Sequence, residues 1–235
     1  MTEQSRFFVN RTRATIAAAQ QVAARWTYQE ITVADMTANL EAVTGNPASN
    51  PPVVGQDEIA TKSDRAYYGA MGAWDKGLDD LHHRTQQALA GMKNKYRNDP
   101  ANLAVVSGLA AEGKSREGRL SEGLACYAAW NQLCPAWSPA TTNTLTAFGD
   151  LRKQCAEDLK TAVEKAEAAM TDENAKLKAM CAALEDTNVG WYNDATHFFS
   201  ATDPDGQMIR STIPTTYVPK SGKTPPTPPP AAKSP

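Results

Sequence analysis

The sequence predicts an all-α fold: an elongated helical bundle with coiled-coil-like long helices and an extended, proline-rich C-terminal tail. Of 235 residues, 39 are Ala, against 35 Leu, Ile, Val and Phe together. Ala is the best helix former but buries little area per residue, so this composition favours closely packed helices over a thick globular core. Apolar residues also recur at helical spacing over long stretches. The last 16 residues, from Lys220, hold six prolines, Pro225, Pro226, Pro228, Pro229, Pro230 and Pro235, which favours extended polyproline geometry. The larger apolar residues are only about 15% of the chain, a share associated with disorder when net charge is high, but the net charge is −2.

The first helix is expected over about residues 5–30. From Phe8 the positions Phe8, Thr12, Thr15, Ala19, Val22, Trp26, Gln29, Val33, Met36, Leu40 and Val43 step by threes and fours, with Thr12, Thr15 and Gln29 as polar defects in the stripe. A break falls near Ile31, because Thr32 with Asp35 has the form of a capping pair that opens a short helix over 33–44. Gly45, Asn46 and Pro47 stop it, and residues 46–61 read as a loop.

A long helix is expected over 63–97. Tyr67, Met71, Trp74, Leu78, Leu81, Thr85, Ala88 and Met92 repeat every seven residues, the seam of a left-handed pairing. Asp99 and Pro100 then cap and open a helix over 100–134. The longest element is expected over 144–200, with a hairpin near Thr171–Asn174 as the alternative and Gly190 as a weak point. Its period is eleven: Phe148, Leu159, Met170, Cys181, Tyr192; Leu151, Ala162, Glu173, Leu184, Ala195; and Cys155, Ala166, Leu177, Asn188, Phe199. Residues 1–200 thus read as one elongated bundle. Residues 201–219, with Met208, Ile209, Ile213 and Tyr217, read as an extended apolar strap along a groove of the bundle or of a neighbouring subunit, and 220–235 as a disordered proline-rich tail.

Several function classes fall away. No apolar run approaches a membrane span, and the N-terminus lacks a signal-peptide pattern, so the expectation is a cytoplasmic protein with no membrane span. With 24 basic and 26 acidic residues no global field selects nucleic acid. Cys126 and Cys134 stand about 12 Å apart along one expected helix, too far for a disulfide. No C-x-x-C pair occurs, so the four cysteines read as small buried hydrophobes.

Two motifs carry possible chemistry. Gly108-Leu-Ala-Ala-Glu-Gly113-Lys114-Ser115 fits G-x-x-x-x-G-K-S and resembles the phosphate loop of P-loop nucleotide-binding proteins over about a dozen residues, Leu103–Ser107 standing where the strand would be. That resemblance implies amides cradling phosphates, Lys114 on the outer phosphates and Ser115 on magnesium. Against it, Gly108, Gly113, Gly118 and Gly123 recur every five residues within a helical context, which reads as a weakened, bent helix. The pairs Asp79/His82 and Asp194/His197 have metal-ligand spacing, but the periodicities turn them away from the seams, so no metal or other cofactor is expected.

No coherent catalytic set remains. The leading expectation is a non-enzymatic structural or interaction protein, self-associating or bound to a protein partner through Ala-rich helices and the strap. Trp137, in a proline-flanked turn, with Met208, Ile209, Ile213 and Tyr217 are the expected contact residues. A nucleotide-binding protein using Gly108–Ser115 is the alternative.

Overall fold

The structure, a computed structural model, describes residues 3–27 and 29–216. It is all-α: α1 (Glu3–Val22), α2 (Val33–Thr44), a two-residue antiparallel pair β1 (Gly45–Asn46) and β2 (Val53–Val54), α3 (Gln56–Lys95), α4 (Pro100–Ser107), α5 (Arg116–Leu133), α6 (Leu145–Lys153), a π-helical turn (Gln154–Leu159), α7 (Lys160–Phe198) and α8 (Pro204–Thr212). Two compact units result, where the sequence suggests a single bundle. Unit 1 comprises 1–59 and 175–235, unit 2 comprises 60–174, and the boundary falls within α3 and α7. The proline-rich tail and Tyr217 lie outside the described residues.

Local chemistry sets most helix starts. Thr32 Oγ1 accepts the Asp35 amide at 3.2 Å while the Asp35 carboxylate accepts the Thr32 amide at 3.0 Å, a full capping box. Asp99 caps α4 ahead of Pro100, Thr144 caps α6, and Ser115 caps α5. The helix expected over 100–134 is two, α4 and α5, and three other expectations change. The first helix stops at Val22 instead of residue 30, because the amides of Arg25 and Trp26 both turn back onto the Val22 carbonyl. The next long helix starts at Gln56, not 63: Gly55 and Gly45 cross so closely that a Cβ on Gly55 would lie 2.3 Å from the Gly45 nitrogen, and Asp57 and Glu58 then occupy the first turn, where acids are favoured. The expected extended strap is instead a helix from 204 to 212, since Asp203 caps it and Pro204 takes its first position.

In unit 2 the seven-residue seam of α3 faces inward: Trp74, Leu78, Leu81, Thr85, Ala88 and Met92 are buried, Tyr67 and Met71 half-buried. The run 145–198 is unbroken through both Thr171–Asn174 and Gly190, and all fifteen of its eleven-residue positions but Ala162 are buried or half-buried. The π turn was not legible from the period. Phe148, Leu151, Cys155, Leu159 and Val163 all face the core of unit 2, and each four-residue step overshoots a 3.6-residue turn by about 40°. One widened turn absorbs that drift, and there the Trp74 indole N–H donates to the Cys155 carbonyl at 2.9 Å. Around this contact α3 and the 145–174 run are antiparallel, Gly77 lying against Leu159 and Asp64 bonding Asn174.

In unit 1 the polar defects of the sequence stripes meet one another. Asn188 Nδ2 donates to Thr12 Oγ1 at 2.8 Å, and Trp191 Nε1 to Gln29 Oε1 at 2.9 Å. Arg11, only 2% exposed, pairs with Glu185 at 2.6 Å. Val22, Met36, Trp191, Ala195, Phe199, Ile209 and Ile213 complete the core, with α8 packed against α1.

The Trp74 anchor is testable. Trp74→Phe keeps the ring but leaves the Cys155 carbonyl without its donor, and a buried orphan acceptor costs about 1–3 kcal/mol. Urea denaturation of the variant is expected to show a loss of that size, with helix content by circular dichroism retained.

Candidate functional site

A surface with no partner among the described residues lies on α3, opposite its seam. Arg65, Ala66, Tyr68, Gly69, Gly72, Ala73 and Lys76 are exposed and fall within an arc of about 160° on an α-helix. Arg65, Gly69, Gly72 and Lys76 follow one line at i, i+4, i+7 and i+11. Tyr68 is 69% exposed, the most exposed of the large hydrophobic side chains described. A Cβ added at Gly69 or Gly72 would meet nothing within 4 Å, whereas one at Gly77 would lie 2.8 Å from Leu159 and one at Gly91 2.6 Å from Trp137. Among the described residues, Gly77 and Gly91 therefore admit neighbours, and Gly69 and Gly72 do not. The face is held in place from beside it: Arg116 of α5 forks onto Asp75 at 2.6 and 2.8 Å, and its guanidinium sits 5.3 Å over the Trp74 ring. Arg116 holds the Asp75 carboxyl below its ordinary value.

The Gly108–Ser115 segment has a different role from the one its motif implies. Leu103–Ser107, the strand position, belongs to α4. The segment after it is irregular, not a bent helix, because a carboxylate of the chain captures it: the Glu112 and Gly113 amides both donate to Glu122, at 2.9 Å and 3.2 Å. Gly113 has φ +62 and lies so near His82 that a Cβ would stand 2.6 Å from the ring. Lys114 pairs with Glu112 and is exposed, Ser115 Oγ accepts the Gly118 amide at 2.9 Å, and Arg119 bridges the Gly113 carbonyl and Asp79. The amides that the motif would turn to phosphate are thus filled by Glu122, and the hydroxyl meant for magnesium is a helix cap. Gly108 ends α4.

The other expected residues scatter. Trp137 is half-buried, not an exposed contact, because it closes over Gly91, lies 5.8 Å from Trp130 and gives its carbonyl to the Trp130 indole N–H. Ile209 and Ile213 are buried and Met208 half-buried against their own unit, since α8 turns its apolar face onto α1. Asp79, His83, Asp194 and His197 point outward and His82 sits on the flank of the seam. Among the described residues no group of three or more His, Cys, Asp or Glu side chains could hold a metal ion, and no helix is long and apolar enough to cross a membrane. All four cysteines are free and buried. Burial pushes the Cys126 thiol up to about 12 and the Cys155 thiol up to about 11, far from a reactive thiolate.

Sequence reasoning missed the α3 face. Its signal was present in Gly69 and Gly72, which lie three apart on the side away from the seven-residue seam. No protein-family model, curated protein or solved structure matches the chain.

Acid sensitivity follows from the carboxylates in this region and at the helix caps. Asp75 is held down by Arg116, Asp35 by the Thr32 hydroxyl and amide, and Asp203 by Arg25. A carboxyl whose folded value is depressed contributes stability above its ordinary value of 3.8 and loses it as pH falls through the depressed one. Asp75→Asn is therefore expected to lose less stability than the native chain between pH 5 and pH 3, measured by urea denaturation at the two pH values.

Proposed function

We propose that the protein is a non-enzymatic structural or interaction protein that self-associates, with the exposed face of α3 as its contact surface. The observation that carries this reading is the pair Gly69 and Gly72. A glycine inside a helix costs about 1 kcal/mol relative to Ala, and no contact within the described chain uses the space these two leave open. Small residues on a helix face let a second helix approach closely, and Tyr68 beside them supplies a large, partly polar side chain of the type that anchors interfaces. A second copy is the favoured partner because most soluble oligomers are assembled from one kind of chain.

Sedimentation equilibrium of the full chain at micromolar concentration tests the reading. The native protein is expected at a multiple of the monomer mass, and Gly69→Leu/Gly72→Leu at the monomer mass with unchanged helix content. A native chain that sediments as a monomer throughout rules self-association out. Gly69→Ala/Gly72→Ala, which fills little space, is expected to raise the stability of the helix itself by about 1–2 kcal/mol.

A further inference from the structure

We infer that the cleft beside the stacked rings of Trp26 and Phe198 in unit 1 binds the proline-rich stretch 224–230 of the same chain. The cleft is lined by Trp26, Asn193, Asp194, His197 and Phe198. Trp26 and Phe198 stack with centroids 5.4 Å apart at 13°, and Trp191 at 5.9 Å and Phe199 at 6.1 Å back the indole from the core. Phe198 is nevertheless 56% exposed. Gln29 fixes the backbone here, donating to the Trp26 carbonyl at 3.2 Å while accepting the Trp191 indole N–H. Among the described residues the Trp26 indole N–H has no acceptor.

A rigid aromatic platform with one free donor matches the chemistry of a polyproline segment. Such a segment has no internal hydrogen bonds, presents carbonyls and flat ring faces, and loses little entropy on docking. Thr224-Pro-Pro-Thr-Pro-Pro-Pro230 is this chemistry, and residues 217–235, which lie outside the described residues, contain Lys220, Lys223 and Lys233 and no acidic residue. Asp194 supplies an exposed carboxylate at the cleft. The nearby guanidinium of Arg25 does not oppose these lysines, because Asp203 at 2.8 Å and Asp205 at 2.5 Å neutralise it.

Those same two bonds settle reach. They place the start of α8 beside Arg25 and hence beside Trp26. α8 has nine residues and leads away by at most about 14 Å. Ile213 is fixed in the core, and the ten residues from Pro214 to Lys223 span about 31 Å when extended at about 3.1 Å each, enough to return residue 224 to the cleft.

Indole N–H resonances of the full-length, nitrogen-15-labelled chain test this, since its five tryptophans give one signal each. Replacing Pro225, Pro226, Pro228, Pro229 and Pro230 by Ser is expected to move the Trp26 signal, assigned through Trp26→Phe, and leave those of Trp74, Trp130 and Trp137 in place. In a Phe198→Ala background the same five replacements are expected to move it several-fold less. A Trp26 signal identical with either tail overturns the proposal. A tail-dependent shift that grows over a tenfold rise in protein concentration also overturns it, by assigning the cleft to the tail of a second copy.

Discussion

A helix whose apolar side chains return every seven residues drifts against one whose side chains return every eleven, and unit 2 has to bring two such helices together. The π turn of the 145–198 run, to which the Trp74 indole bonds, is where that drift is taken up. The widened turn at Gln154–Leu159 returns Cys155, Leu159 and Val163 to the face that α3 presents, and the Cys155 carbonyl receives the indole N–H. The rest of the unit is placed from there. Gly123 brings α5 within 3.1–3.3 Å of the Leu81 side chain by the same measure of an added Cβ, and Arg116 clasps Asp75 one residue beyond Trp74. Trp130 and Phe148 fill the space between α5 and α6, with ring centroids 5.7 Å apart.

Unit 1 meets the same scarcity of bulky apolar residues differently, by burying polar side chains in matched pairs. A buried charge is costly unless partnered, and Arg11 has Glu185; Asn188 has Thr12. Because these pairs form in only one alignment of α1 against the C-terminal part of α7, they specify register where small apolar side chains would permit sliding. The aromatic cluster of Trp26, Trp191, Phe198 and Phe199 then closes the end of that pairing.

What could be read from the sequence was what depends on near neighbours in the chain. The caps at Thr32 and Asp99 and the buried seams of both long helices are local or periodic, and they stand as expected. What escaped depends on partners distant in sequence. Glu122 unwinds the segment ten residues before it, Gly91 draws in Trp137, and α1 draws in Ile209, none of which a period encodes. Asn188 and Thr12 looked like two separate flaws because each is explained only by the other. The α3 face was visible as glycines on the outward side of a strong seam, but its meaning depends on knowing that none of the described residues covers them.

Self-association through that face is the central claim, and it makes stability a property of concentration, since a contact made only by the folded chain stabilises it by mass action. The direct measurement is the thermal unfolding midpoint of the full-length protein over a hundredfold range of concentration, paired with the same series for Gly69→Leu/Gly72→Leu. The account predicts a midpoint that climbs with concentration for the native chain and stays level for the variant. A native midpoint that does not move over that range would contradict it.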